Sequence, residues 1–568
     1  MKGKTVSNRR LILAFMVVAV TLCLTQFAFG EDGADAAAHF GVLSLVTPFI
    51  AIVLSFITKQ VVLSLTAAIF VGATIVNGGN PGLGFLRMCD TYLVGTVADS
   101  WNASLMLFIL AVGGMIAVMS RMGGMQALAL ALAKKAKGSR NVLIMTWLLG
   151  LIIFFEDIAN SLIVGPTMRP VADEERISRE KLSYVIDSTA GPVTDMAPIS
   201  SWVAHEIGMI SLAFTTIGLE ATNVYGIFIQ TIPYRFYNIF AIAMVIILIL
   251  TQRDYGPMYK AEKRARLTGK LYSDTAKPMM SKELDAMNVA EGATLKVSNA
   301  VIPILVFIIL TVLALWYTGD GMHEDFSVQG LATAFGNTDA ASSILYSVIL
   351  TSGVCIVMAV AQKIMTLKEA VDVWLNGCKE LLFTVTILLL AWSTGGIMGD
   401  LGTGVYISGI VSGSIPAIIL PMVMFAVACV MAFSTGTSYG TSAIMIPIAF
   451  PLAYGISGGV VDSLAIVTIA AVTCGAIFGD HCSPISDTTI MSSMGSAADL
   501  MDHVKTQTPY ALTVAGVAAV GFIMAAAGLS PIIILPLGIV ALVVIVRLVG
   551  KSVKLEDLKI EAEKEKVA

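Results

Sequence analysis

The stretch Gly475–Thr489, GAIFGDHCSPISDTT, decides how this chain is read. It sits inside an apolar run long enough to cross a bilayer, yet it carries Asp480, His481, Pro484, Asp487 and serine and threonine hydroxyls. Charged groups at bilayer depth cost roughly 2.5–3.5 kcal/mol each, so they face protein or a wet cavity rather than lipid. Pro484 removes a backbone donor and clashes with the preceding turn, which predicts a broken helix.

The surroundings of that stretch are those of a membrane protein. The chain has 568 residues, 57% of them apolar and only 13% charged. Its mean hydropathy is +0.85. A soluble protein of this size would carry about twice that charge fraction. Long apolar runs recur from end to end, so the fold class is an all-α polytopic membrane protein. Seven cysteines without a CxxC pair give neither a disulfide framework nor a metal cluster. A net charge of −4 points to no nucleic-acid partner; the lipid bilayer is the expected environment.

Residues 1–30 have a basic start and an apolar middle, as a signal peptide or an N-terminal anchor has. Spans are predicted near 43–57, 60–77 and 103–120. The loop Ala133–Asn141, AKKAKGSRN, is basic and therefore cytoplasmic. The segment 142–170 contains FFEDIANSLIVGP and is followed by another basic stretch, RPVADEERISREK. With both ends cytoplasmic it must enter and turn back, as a re-entrant hairpin with its tip near Glu156–Ser161. Irregular backbone at that depth is tolerated only inside protein or along water. Residues 182–217 form a crossing broken at GPVTDMAPISS, where Pro192 and Pro198 remove donors. A span near 224–251 leads to a charged segment, 253–298, read as a solvated cytoplasmic linker.

The second half has spans near 299–317, 341–361 and 380–397. A second hairpin follows at 417–455, with its tip at STGTSYGTS, and then the broken crossing at 462–495 that contains the opening stretch. Spans near 509–528 and 532–548 precede a charged tail. Counted this way there are about 11 or 12 spans plus two hairpins.

The halves resemble each other. ANSLIVGPTMRPVA (159–172) lines up with GTSAIMIPIAFPLA (440–453), so that Ser161/Ser442, Pro166/Pro447 and Pro170/Pro451 coincide. Pro198-Ile199-Ser200 likewise matches Pro484-Ile485-Ser486. The loop charges start one copy outside and the other inside. The repeats, 41–252 and 299–528, are therefore predicted to be inverted, with 529–568 as last span and tail. Inverted repeats whose discontinuous helices meet at the midplane are a secondary-transporter signature.

On FFEDIANSLIVGPTMRP, ISREKLSYVIDSTAGPVTDMAPISSW, STGTSYGTSAIMIPIA and GDHCSPISDTTIMSS, the sequence resembles the NhaC-type Na+/H+ antiporter family, within the wider ion-transporter superfamily. The similarity runs from about Leu105 to Tyr510. It implies a scaffold around a moving core of paired hairpins and broken helices in the cell inner membrane, with exchange of Na+ for H+. The family also contains exchangers of small carboxylates, so malate–lactate exchange coupled to Na+ or H+ is the alternative. Glu156-Asp157 stands where two aspartates are expected.

The two tips and two breaks are predicted to converge. One pair brings Glu156, Asp157, Asn160 and Ser161 beside Asp187, Thr194, Asp195 and Ser200. The other brings Ser434, Thr435, Thr437, Ser438 and Thr441 beside Asp480, His481, Ser486, Asp487 and Thr488. Oxygen ligands of this kind suit a hard cation such as Na+. Carboxylates sharing one cavity bind protons or sodium in competition, the minimum for antiport. His481 is a candidate proton relay. Each group also has a bland role, as a helix cap or a satisfier of broken backbone. Glu206, at mid-helix, is expected to pair with Arg235, and no Arg is expected in a tip or break. No cofactor beyond the transported Na+ and H+ is implied, and a homodimer stays open. His205-Glu206 lacks the second His of an HExxH motif, and nothing supplies a nucleophile–base pair, so an enzyme is excluded from the reading.

Overall fold

Apolar helices account for nearly all of the ordered architecture. The computed structural model describes residues 40–58, 60–133, 137–220, 223–278, 289, 294–323, 338–403, 406, 416–484 and 486–567. The anchor or signal segment 1–30 lies outside them. In chain order the helices used below are α1 (Val46–Thr58), α2 (Val61–Val76), α3 (Pro81–Arg87), α4 (Ser100–Arg121), α5 (Gly124–Ala133), α6 (Ser139–Ile152), α7 (Asp157–Glu174), α8 (Arg179–Asp187), α9 (Gly191–Met196), α10 (Ser201–Thr216), α11 (Val224–Thr231), α12 (Phe236–Thr251), α13 (Gly256–Thr268), α14 (Ser298–Thr318), α15 (Ala340–Ala361), α16 (Leu367–Glu380), α17 (Leu382–Asp400), α18 (Leu420–Thr435), α19 (Ser438–Ile456), α20 (Ser463–Cys482), α21 (Asp487–Ser496), α22 (Leu500–Ala526), α23 (Pro531–Val549) and α24 (Leu555–Val567). Two short strands, β1 (Arg253–Asp254) and β2 (Lys551–Ser552), pair antiparallel. Among the described residues, nine helices are long and apolar enough to cross a membrane, or up to eleven if each bent pair is one span. The protein is a multi-pass membrane protein.

The order hairpin, then broken helix, occurs twice. The first hairpin is α6–α7 and the first broken helix α8–α9–α10; the second hairpin is α18–α19 and the second broken helix α20–α21. The return arm of each hairpin holds two prolines a turn apart, Pro166 and Pro170 in α7 and Pro447 and Pro451 in α19. Serine and threonine side chains restart the helices after the breaks: Ser200 caps α10, Thr437 caps α19 and Ser486 caps α21.

Packing crosses between the halves. Return arm α7 lies on α21 of the second broken helix, and return arm α19 lies on α10 of the first. Hairpin two also embraces α20 from both sides. Around this core stand helices with unpartnered apolar faces. Leu305, Ile309 and Leu313 of α14 and Ile532, Leu537 and Leu548 of α23 are exposed, as lipid-facing residues are.

Four features differ from the sequence-based reading. The segment Pro81–Ala98 is an additional helical piece bent 118° from Val62–Val76, with Asn80 capping it. Helix α16 is an added amphipathic helix with a capping box, in which Thr366 and Glu369 bond each other's backbone. The span 224–251 bends by 45° at Ile232–Tyr234, because Pro233 cannot continue the hydrogen-bond ladder. The linker is not simply solvated: its first part folds as α13, with Met258, Ala265 and Glu262 buried.

Candidate functional site

Hairpin one opens between Ile152 and Asp157. Glu156 takes an extended conformation at the start of α7 without using its side chain as a cap, and Asp157 Oδ1 accepts from the Ile158 amide at 2.9 Å. The open turn is fastened at two points. The Ser201 amide donates to Phe155 O at 3.0 Å, joining the tip to the break before α10. Asn160, fully buried, donates its amide to Gly150 O (2.8 Å), Ile153 O (3.1 Å) and Thr189 O (3.0 Å). Those three carbonyls fix which way the amide faces and leave its oxygen turned away from them.

Several buried polar atoms at this tip lack a hydrogen-bond partner among the described residues. They are Glu156 Oε2, Asn160 Oδ1 and Ser161 Oγ on the hairpin, and Ser201 Oγ and Trp202 Nε1 at the start of α10, which lie against Glu156 and Asp157. Buried polar groups are almost always paired, so such a concentration calls for a ligand or bound water. Most of these atoms are oxygens. Neither Glu156 nor Asp157 has a Lys or Arg partner among the described residues.

Asp195 is placed differently. It was expected beside tip one as a cation ligand. Instead its Oδ2 accepts from Arg235 Nη1 at 2.5 Å and from Asn238 Nδ2 at 2.7 Å. Arg235 also reaches Glu206 at 3.0 and 3.2 Å, and Thr231 Oγ1 at 3.1 and 3.3 Å. The arginine, fully buried, sits at the bend that precedes α12, outside both tips and both breaks. Burial of one arginine demands this arrangement, because an unpaired buried charge is far more costly than a paired one. Thr194 and Ser200 give their hydroxyls to the broken backbone, donating to Ala190 O (3.1 Å) and Thr194 O (2.9 Å).

Asp187 also departs from the expected pairing. The helix turns away at Ser188–Ala190, so Asp187 faces the second half. Its Oδ2 accepts from Gln507 Nε2 (2.6 Å), His503 Nε2 (3.2 Å) and Thr489 Oγ1 (3.4 Å). It is surrounded by donors, unlike the acceptor-rich tip one. His481 spans between halves, with Ser188 Oγ 3.0 Å from Nε2 and Tyr237 Oη 2.8 Å from Nδ1. Asp480 Oδ2 accepts from Thr488 Oγ1 at 3.4 Å, and Ser486 Oγ lies 2.9 Å from the same hydroxyl. Pro484 stands in the break; the side chain of Asp487 lies outside the described residues.

At tip two the hydroxyls serve the backbone. Thr435 donates to Met431 O (2.9 Å), Ser438 to Ala476 O (3.1 Å) and Thr441 to Thr437 O (2.9 Å). Thr437 accepts from the Gly440 amide at 3.3 Å, and Ser434 is half-buried. Ser442 Oγ meets His205 Nε2 at 2.6 Å, tying α19 to α10. A Cβ on Gly479 would lie 2.5 Å from the Phe433 amide nitrogen, so break two rests directly on hairpin-two backbone. Tip one meets α21 in the same way: a Cβ on Gly495 would lie 2.4 Å from Ser161 O.

Four residues of this network, Ser188, Tyr237, His503 and Gln507, were not singled out from the sequence. His503 and Gln507 precede the span expected at 509–528. The helix begins at Leu500, and the i, i+4 polar pair was the available signal.

A predominantly helical, membrane-spanning chain with paired hairpins and broken helices around buried polar tips is a secondary transporter. The YdaH transporter of Alcanivorax borkumensis has the same general fold, with a TM-score of 0.52 at 12% identity over 77% of this chain and 88% of that one. An uncharacterised protein of Haemophilus influenzae is 34% identical over 487 residues, covering 85% of this chain and 90% of the relative. The model of the Na+/H+ antiporter family matches residues 193–527. The chain belongs to the Na+/H+ antiporter family.

Proposed function

We propose that this protein exchanges Na+ for H+ across the cytoplasmic membrane by alternating access, as an NhaC-type antiporter built of two inverted repeats. One observation carries the reading: two adjacent buried carboxylates without a basic partner among the described residues, followed one turn on by the unpaired side-chain oxygens of Asn160 and Ser161. Such a set is short of positive charge. A sodium ion supplies it through oxygen ligands, and a proton supplies it by neutralising one carboxylate. Because the dyad accommodates one or the other, binding of Na+ releases H+, which is the coupling an antiporter requires. Asp480, His481, Thr488 and Asp187 form the facing polar network through which the second half senses that exchange. The carboxylate-exchange alternative is disfavoured by Arg235. The buried arginine that an organic anion would need is already occupied by Asp195 and Glu206.

The test is reconstitution in liposomes holding a lumenal pH dye, with Na+, Li+, K+, malate and lactate added in turn. Na+ is expected to dissipate the pH gradient. Dissipation by a carboxylate and by no monovalent cation would overturn the reading.

A further inference from the structure

The cytoplasmic side, identified by its Lys and Arg content, carries an unexpected structure. Residues 253–277 run across the ends of the elements that meet at the polar network. On α8, Lys181 Nζ reaches Asp254 at 2.6 Å, Arg264 reaches both oxygens of Glu180 at 2.9 Å, and the Arg179 amide donates to Leu271 O at 3.2 Å. Ser178, the cap of α8, gives Glu262 both its amide (2.9 Å) and its hydroxyl (2.8 Å). Glu262 is also held by Arg266 at 2.9 Å, and Arg266 reaches Ser139 at the start of hairpin one at 3.0 Å. Arg179 bonds Ser496 O at the end of α21. At the start of α22, Ser273 donates to Asp502 at 2.5 Å and the Lys277 amide to Asp499 at 2.8 Å.

The same segment is held from below by the end of the chain. β1 pairs with β2, Arg253 donates to Gly550 O at 2.7 Å, and α24 packs on α13 through Tyr259 and Lys263 to Glu561. Lys181, Asp254 and Glu262 are almost wholly buried in these contacts. On the opposite face a cavity of about 760 Å³ opens among Tyr92, Asp99, Asn102, Thr215, Glu220 and Trp392.

We propose that residues 253–277, braced by β2 and α24, are a latch that holds the cytoplasmic gate closed and must release before the Asp187 end of α8 opens to the cytoplasm. This rests on the alternating-access reading above. The partners of the latch argue for it. Its contacts are with α8 and α22, whose other positions supply Asp187, His503 and Gln507, and Arg179 of α8 carries the tie on to Ser496 of α21. Loosening one end of each frees the network at the other. Paired buried charges hold a shut state well, because separating one leaves an uncompensated buried ion. They also re-form only in register, so the latch closes to one geometry.

The test reads access and needs no cargo. Cys482, buried at the end of α20 beside the break, is kept as the sole cysteine of the full chain. A membrane-impermeant maleimide is added to inside-out vesicles. Two variants loosen the latch: a chain ending at Gly550, lacking β2 and α24, and Arg264→Ala, which leaves Glu180 unpaired. Labelling of Cys482 is expected to rise at least fivefold in each, with Arg264→Lys close to the parent, and no rise in right-side-out vesicles. Unchanged labelling in both variants, each confirmed monodisperse in detergent, would overturn the latch. Loss of Na+-driven proton flux in the parent would overturn the functional reading instead and leave the labelling result standing.

Discussion

At the scale of single residues, charge bookkeeping separates three carboxylate sites that look alike in sequence. Asp195 and Glu206 share Arg235; Asp187 is held by Gln507 and His503; Glu156 and Asp157 have no basic partner among the described residues. Asp157→Asn is therefore expected to abolish Na+-driven proton movement in proteoliposomes while the protein remains folded in the membrane, and Asp480→Asn to do the same through the facing network. Wild-type rates in both would remove the proposed site. Arg235→Met leaves two buried carboxylates uncompensated and is expected to destabilise the fold by about 3–5 kcal/mol. Thermal unfolding in detergent measures this, and a melting point unchanged from wild type would contradict the assignment. The Glu206–Arg235 pair was legible because a mid-helix glutamate needs a partner within reach. That Asp195 joins it was not, since only the folded bend at Pro233 brings α12 beside α9.

At the scale of elements, the breaks were legible because proline and glycine act locally, and hairpin one because basic stretches flank both its ends. Pro192, Pro198 and Pro484 interrupt hydrogen-bond ladders wherever the rest of the chain lies. The missed elements have weaker local signatures. Pro81–Ala98 is too short to register as a span, and α16 is half polar, so neither stands out in a hydropathy reading. Asp187 was assigned to the wrong neighbours because the turn at Ser188–Ala190 swings it towards α22, a direction set by tertiary packing. Element contacts also make a prediction. A methyl group on Gly479 meets backbone of hairpin two that cannot rotate aside. Gly479→Ala is therefore expected to cost about 1–3 kcal/mol through overpacking, read as a lower melting temperature. An unchanged or raised melting temperature would show that break two does not rest on Phe433.

At the scale of the whole molecule, the latch carboxylates pull in opposite directions with pH, since burial pushes Glu180 and Asp254 up while Glu262 is held down. Burial alone would raise the Glu262 carboxyl, but Arg266, Lys181 and the Ser178 hydrogen bonds hold it below its usual range. A carboxylate depressed in the folded state contributes stability that is present above its unfolded value, about 4.3, and is lost only as pH falls through the lower folded value. Glu262 therefore contributes an acid-side loss of hydrogen-exchange protection over residues 256–268, corrected for intrinsic rates, that is expected to shrink in Glu262→Gln. An acid profile unchanged in that variant would show that Glu262 does not set it. The basic residues of 253–270 predict the cytoplasmic side for this segment. Its folded state was hidden because α13 is mostly polar and becomes ordered only through charges distant in sequence.

The meeting of Gly165 with Gly495 has a mechanical consequence. Where α7 crosses α21, main chain lies on main chain: a Cβ on Gly165 would come within 2.4 Å of Gly495 C. Side chains elsewhere interlock like teeth, and moving past them requires each to be lifted from its notch. Two bare glycine surfaces have no teeth. At this point the crossing transmits force from main chain to main chain, with no side chain between Gly165 and Gly495 to bend or repack.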